Sequence, residues 1–411
     1  METHLADFIA NTTAGQEADK ILRKCVHCGF CTATCPTYQL LGDELDGPRG
    51  RIYLMKQVLE GAEVTASTRG HLDRCLTCRS CESTCPSGVQ YGRLADIGRA
   101  VIEERCVTPR PLEQRVLRSG IRFLTTRRWL FDPLMRVGQS VRPLLPLSLK
   151  SKVPRMRASG TWPRARHQER MLMLEGCVQP AMIPNINKAT ARVLDAAGIS
   201  LIRPASAGCC GAIDQHLAAP LDAKQRMRHN IDSWIPYLED GVTTLVVNAS
   251  GCTAMVAEYG HIFADDAEYA DAAKRVSAAC RDLSQVVEAA LPKLLPKLRK
   301  INGRPVGFHP PCTLQHGLQI RGVVESVLSA AGFEVRLPRD SHLCCGSAGT
   351  YSILQSDIAL RLRSDKLAKL DEAGGDAVVS ANIGCITHLQ AGTDKPVRHW
   401  IEVIDELLLA R

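Results

Sequence analysis

Aromatic residues make up only 4% of this 411-residue chain, too few for the stacking platform on which proteins hold single-stranded nucleic acid. No helix-turn-helix, finger or RNA-binding motif is present either, so nucleic acid is not an expected partner. No run of about eighteen or more apolar residues occurs, so no membrane-spanning helix is expected. The opening METHLADFIANTT lacks the basic-then-apolar order of a secretory signal. A cytoplasmic location is therefore expected. No G-x-G-x-x-G fingerprint follows an apolar run, which argues against a dinucleotide or flavin site of that kind.

Cysteine, by contrast, is abundant: the chain has 18. In a reducing compartment, patterned cysteines point to metal or redox chemistry rather than to structural disulfides. Here they fall into two internal repeats. KCVHCGFCTATCP (24–36) recurs as RCLTCRSCESTCP (74–86), so that Cys25, Cys28, Cys31 and Cys35 correspond to Cys75, Cys78, Cys81 and Cys85. Further on, Cys177, Cys209, Cys210 and Cys252 correspond to Cys312, Cys344, Cys345 and Cys385, and each adjacent pair is followed by glycine, Gly211 or Gly346.

The first repeat is C-x2-C-x2-C-x3-C-P, the two-cluster ferredoxin run. Three thiolates two residues apart wrap three corners of one cube on a tight loop, and the fourth reaches the neighbouring cube. The expected ligand sets are Cys25, Cys28, Cys31 and Cys85 for one [4Fe–4S] cluster, and Cys75, Cys78, Cys81 and Cys35 for the other. Gly29, Thr32, Ala33, Ser80 and Ser83 are small enough to let backbone N–H groups approach the sulfurs. A pair of zinc knuckles is the alternative, but zinc sites usually pair C-x2-C units across a gap. His27 is expected to be an exposed loop residue.

In the second repeat a turn at Cys-Cys-Gly would present both sulfurs to one centre, glycine permitting the backbone dihedrals. Cys177, Cys209, Cys210 and Cys252 form one candidate four-thiolate site. Cys312, Cys344, Cys345 and Cys385 form the other, for a third iron–sulfur cluster or a zinc ion. A vicinal disulfide or plain buried thiols are the alternatives. The second site is favoured, because Cys385 is followed at the third position by His388 whereas Cys252 is followed by Met255. His309 and His342 are expected to line that pocket or hydrogen-bond within it. Cys106 and Cys280 have no partner pattern and read as ordinary buried thiols.

Apolar runs at 171–176, 243–250, 304–309 and 376–382 read as buried strands. They alternate with helical stretches near 185–197, 222–236, 321–331 and 355–371. Such alternation predicts α/β units with parallel sheets. Helices are also expected at 47–61 and 94–105. The expected fold is thus mixed α+β and α/β: a mainly helical two-cluster ferredoxin-like domain (1–106), a basic Arg/Pro-rich connector (107–168), and two α/β cysteine-rich repeats (169–300 and 301–411). Residues 105–170 carry 16 Lys and Arg against three acids. Arginines interleaved with Leu, Phe and Trp over 115–145 suit an anionic membrane surface or a partner subunit equally. Pro133, Pro143 and Pro146 are expected to break any long helix there.

The Cys-Cys-Gly repeats resemble the cysteine-rich domain of heterodisulfide reductase and its relatives. Together with two ferredoxin motifs, they resemble the iron–sulfur subunits of membrane-associated flavin dehydrogenases for glycolate, glycerol 3-phosphate and lactate. LRKCVHCGFCTATCPTYQLLGDELDGPRGRIYLMKQ and HLDRCLTCRSCESTCPSGVQYGRL look most like the glycolate oxidase iron–sulfur subunits, and the likeness covers nearly the whole chain. The longer family pattern ends in C-x2-C and holds a non-cubane cluster; here Met255 and His388 stand in the place of the last cysteine. The resemblance implies that partner subunits bind FAD and oxidise glycolate to glyoxylate. This chain would pass the electrons, one at a time, to a quinone or another membrane acceptor, from the inner face of the cytoplasmic membrane. No catalytic residue and no turnover are expected of it alone. The same role with lactate or glycerol 3-phosphate is the alternative, and a zinc-stabilised scaffold without redox chemistry is a second.

Overall fold

Three helices build the core of the amino-terminal region in the computed structural model, which describes residues 1–146, 150 and 153–409. They are Thr13–Lys24, Pro48–Leu59 and Tyr91–Arg105. Each starts or ends where local chemistry dictates. The Thr12 hydroxyl caps the first by accepting from the Gly15 N–H at 3.0 Å. Pro48 opens the second at a position where a missing N–H costs nothing. Their apolar faces meet through Ile21, Leu22, Met55, Leu59, Leu94 and Ile102, all buried. Both cysteine runs hang from the ends of this bundle. The helices expected at 47–61 and 94–105 are therefore present.

The described residues of the carboxyl-terminal half form two four-stranded sheets. The first contains β1 (Glu169–Leu174), β2 (Ile199–Ile202), β3 (Leu245–Val247) and β4 (Cys280–Asp282), in the order β2-β1-β3-β4. The second contains β5 (Arg304–His309), β6 (Phe333–Arg336), β7 (Val378–Ser380) and β8 (Val397–His399), in the order β6-β5-β7-β8. Every pairing is parallel. Parallel strands need crossovers, which helices Asn185–Ala196 and Pro220–Glu239 supply in the first unit and Val323–Ala330 and Ser356–Ala373 in the second. The central strands turn apolar where both of their faces are covered: β1 goes from exposed Glu169 and Arg170 to buried Leu172–Leu174, and β3 is buried along its whole length. Leu245, Val246 and Val247 are each at most 1% exposed.

In each sheet the strand order reverses beside its first strand, so successive connections leave β1 and β3, or β5 and β7, in opposite directions. That opens a crevice at the carboxyl ends of the strands. Cys177 follows β1 and Cys252 lies just after β3, while Cys312 follows β5 and Cys385 lies just after β7. The two units share one core in which Met173, Val193 and Val287 join Phe308, Val379 and Trp400. Polar ties run across it: His399 Nε2 donates to the Asn248 carbonyl at 3.0 Å, and the Ser250 and Thr313 hydroxyls lie 2.7 Å apart.

The basic connector is helical at Leu112–Thr125 and Arg128–Ser140. Contrary to expectation, Pro133 sits inside the second helix and does not end it. The break falls at Thr126–Arg127, where the Thr125 hydroxyl turns back onto the Ile121 carbonyl, at 2.8 Å, and Arg127 is extended. Pro133 lies only in the second turn and forfeits a single ladder bond. Pro143 falls in a short 3-10 turn, Arg142–Leu144. The arginines are bound within the chain itself. Arg122 donates to buried Asp214 at 2.8 Å and also pairs with Asp222, while Arg128 donates to Glu175 at 3.1 Å. Removing Arg122 by an Arg122→Ala change should cost about 1.5 kcal/mol in a denaturant titration. That is the lower end for a charge-assisted hydrogen bond, because Arg226 still neutralises Asp214.

Candidate metal centres

Two thiol quartets form in the amino-terminal region, and their membership crosses between the runs. Cys25, Cys28 and Cys31 come together with Cys85 around one small cavity, beside Cys81 and Tyr91. Cys75, Cys78 and Cys81 come together with Cys35 around a second, also walled by Tyr91. The crossing arises because each run turns tightly and then feeds a helix. The loop geometry itself repeats: His27 and Thr77 have φ of 55° and 52°, and Gly29 and Arg79 have φ of 85° and 60°. A non-glycine residue in that region is strained. Arg79 is held there by Glu82 at 2.9 Å and Glu258 at 3.3 Å. His27 is half-buried and stands edge-on to Tyr53, so it is not the exposed loop residue expected.

Donors already point at the sulfurs. The Thr77 N–H lies 3.4 Å from Cys75 Sγ, the Tyr91 hydroxyl 3.6 Å from the same atom, and the Val89 N–H 3.5 Å from Cys85 Sγ. Behind the second quartet lies Arg51, 1% exposed. Its guanidinium donates to the His71 carbonyl (2.7 Å) and the Thr37 hydroxyl (3.1 Å), and pairs with Asp46 at 3.4 Å. Burial pushes the Cys75 thiol up, but Arg51 and then Arg99 outweigh it and leave the thiol below its ordinary range. Burial pushes Cys31 up to about 11 and holds Cys78 and Cys81 well above theirs. As free thiols those three stay protonated at neutral pH, so a metal that binds them must displace protons.

The Cys-Cys-Gly sets also assemble. In the first unit, burial and hydrogen bonding link Cys177 to Cys209 and Cys209 to Cys210, and Cys210 Sγ is 3.4 Å from Cys252 Sγ. In the second, Cys312 Sγ is 3.5 Å from Cys344 Sγ, and Cys345 links Cys344 to Cys385. Gly211 (φ 89°) and Gly346 (φ 87°) provide the left-handed turn that each pair needs. A Cβ on Gly346 would lie 2.6 Å from the Ala359 carbonyl oxygen, whereas on Gly211 the nearest atom is the mobile end of Met227 at 3.0 Å. A Gly211→Ala variant should therefore lose about 1–2 kcal/mol from the backbone alone. A Gly346→Ala variant should lose a further ~1–3 kcal/mol from overpacking. Thermal unfolding of the two variants checks the order.

The matches to known families follow these sites. Residues 21–89 match the 4Fe-4S dicluster domain, and residues 171–257 and 306–390 each match the cysteine-rich domain called CCG. Across 409 residues, 99% of both chains, the sequence is 51% identical to the glycolate oxidase iron-sulfur subunit of Escherichia coli. The chain belongs to the glycolate oxidase iron–sulfur subunit family. A probable member from Bacillus subtilis is 29% identical over 91% of this chain and 89% of its own. Lactate utilization protein A of Anoxybacillus flavithermus is 26% identical over 56% of this chain. The 4Fe-4S dicluster match fits an electron-transfer role, and the amino-terminal residues described here fit such clusters: grouped thiols, N–H donors at sulfur, and a buried cation behind one quartet.

The structure joins the family's modules in a way the sequence does not announce. Cys78 of the second quartet lies beside Cys312 and Cys344 of the second cysteine-rich unit. Leu76, Tyr351, Ile358 and Leu362 pack around that junction. The Tyr351 hydroxyl donates to the Arg74 carbonyl at 3.0 Å, and the Ser83 hydroxyl meets His316 Nδ1 at 2.9 Å. His388, a possible extra ligand by its place in the sequence, directs Nε2 to the Ala359 carbonyl at 3.2 Å. His342 is half-buried, and its carbonyl accepts from His316. Cys280 is buried as expected, whereas Cys106 is only half-buried.

Proposed function

We propose that this chain carries single electrons away from the flavin of a glycolate-oxidising complex, through two [4Fe–4S] clusters. Cys25, Cys28, Cys31 and Cys85 would hold the first, and Cys75, Cys78, Cys81 and Cys35 the second. The crossed membership of the two thiol quartets carries this reading. When bound, each cube supplies one-electron chemistry over a potential range set by charge, burial and hydrogen bonds to sulfur. The chain's own residues supply those settings. Arg51 and Arg99 place positive charge near the second quartet, and Tyr91 fills the wall common to both.

The outer quartet suits the donor side. Cys28 is exposed, and Val26 (67%), Phe30 (61%) and Tyr53 (47%) present apolar surface around it. A flavin-bearing partner subunit would cover that patch. The inner quartet leads to Cys312 and Cys344, where the second cysteine-rich set would hold a third centre. The acceptor is proposed to be a quinone or another membrane carrier. Among the described residues no helix is long and apolar enough to cross a membrane. The basic connector nonetheless exposes Leu112, Val116, Phe123, Trp129 and Leu144, which favours its resting on a membrane or on a partner subunit.

The deciding experiment is anaerobic addition of glycolate to the complex purified with its flavin subunits, followed by EPR. Signals of reduced [4Fe–4S] clusters are expected with glycolate and not with D-lactate or glycerol 3-phosphate. Reduction by lactate alone would move the assignment to the donor alternative. Zinc without acid-labile sulfide would replace electron transfer with a scaffold.

A further inference from the structure

His309 ends β5, in the strand that runs into Cys312, and is 1% exposed. Its Nδ1 lies 3.1 Å from the hydroxyl of Ser380, the last residue of β7. Its Nε2 is buried and has no hydrogen-bond partner. A buried polar atom left unpaired costs free energy, so each such atom needs a reason. Here one is at hand: a ring nitrogen of His309 and the sulfurs of Cys345 and Cys385 all lie within 4.8 Å of one another. An imidazole whose Nδ1–H is engaged by a hydroxyl presents the Nε2 lone pair outward, the arrangement that orients a metal-ligating histidine.

The first unit has nothing comparable. By the offsets that superpose the two repeats, Leu174 stands where the second has His309, and Val247 where it has Ser380. A buried cation, Lys366, lies near the same sulfurs. Lys366 is 3% exposed, donates to the Asp340 carbonyl at 2.9 Å, and acts electrostatically on Cys345, Cys344 and Cys312. The Asn382 side-chain amide donates toward Cys385 Sγ at 3.7 Å. A cluster of thiolates around a metal carries net negative charge, and the Lys366 ammonium offsets it.

We propose that His309 Nε2 is a ligand of a metal centre in the second cysteine-rich unit, shared with Cys345 and Cys385 and completed by one thiolate of the adjacent Cys312–Cys344 pair. This rests on the reading above that the second set binds metal. Mixed imidazole and thiolate donors suit an iron–sulfur centre or zinc, and the test separates the two.

The complex is purified anaerobically as wild type, His309→Ala and His309→Cys, and iron, sulfide and zinc are counted per chain. The two ferredoxin sites account for about eight irons and report in each variant that the fold is intact. Metal beyond those eight irons is expected in the wild type, lost by at least about half in His309→Ala and retained in His309→Cys. If the extra metal is iron, pulsed EPR of the reduced protein should show a directly coupled ¹⁴N that disappears in His309→Cys. If it is zinc, X-ray absorption should show a nitrogen shell at about 2.0–2.1 Å that gives way to sulfur. Extra metal with no nitrogen contact, or unaltered in His309→Ala, would overturn the ligand while leaving the metal centre standing. No metal beyond the eight irons would overturn both.

Discussion

Replacing Cys78 with serine should remove about four of the roughly eight irons that the two ferredoxin sites account for, and abolish electron delivery to the acceptor. Cys78 is the informative position because it belongs to the inner quartet and also faces Cys312 and Cys344. Loss there interrupts the contiguous line of sulfur sites at its middle. Cys28→Ser should also remove about four irons, those of the outer site, but it leaves the junction with the second cysteine-rich unit intact. Cys106→Ser, at a half-buried thiol outside every quartet, should leave iron and electron delivery unchanged. Iron and sulfide counts, with a dye-linked glycolate assay of the whole complex, distinguish the two ligand variants from the Cys106 control. Full iron retention in Cys78→Ser would remove the crossed ligand assignment.

An Arg51→Met change is expected to damage both the fold and the inner site although it touches no cysteine. Arg51 and Asp46 are both almost fully buried, and Asp46 also receives His71 Nδ1 at 3.0 Å and Arg74 at 2.9 Å. Taking away one partner of such a pair strands the other charge in low dielectric, at about 3–5 kcal/mol. Arg74 remains, so the lower half of that range is expected in a urea titration. A second effect is electrostatic. With the guanidinium gone, the thiolate form of Cys75 loses its main counter-charge, and the reduction potential of the inner cluster should fall. A double change, Arg51→Met with Asp46→Asn, should restore much of the stability but not the potential. Recovery of both would mean that Arg51 acts only through Asp46.

The cysteine sites were largely legible in the sequence because their chemistry dictates spacing. Three thiols two residues apart and a fourth before proline have few other uses, and residues 21–89 match a 4Fe-4S dicluster domain. The central strands β1, β3, β5 and β7 were legible as well, from the short apolar stretches within them. Their edge neighbours were not. Cys280-Arg281-Asp282 in β4 and Val397-Arg398-His399 in β8 are three residues long, and their middle residues face outward. Pairing with a central strand, not local pattern, makes them strands. The connector misled for a related reason. Pro133 is a helix breaker by local rules, yet one lost bond near a helix start is tolerated where Arg122 and Arg128 anchor the segment to acids of another unit. His309 was visible only as a histidine near cysteines. Its role depends on which ring nitrogen Ser380 engages, and no one-dimensional pattern encodes that.

The unequal placement of the two quartets bears on how the protein survives air. The inner one is sealed beneath Leu76, Tyr351 and Leu362, whereas the outer one has Cys28 at the surface. Dioxygen and chelators reach the outer site first unless a partner chain caps it. Aerobic handling of the lone subunit should therefore yield a half-loaded species that has shed its peripheral cube and kept the interior one, and assembly with the flavoprotein should slow that decay.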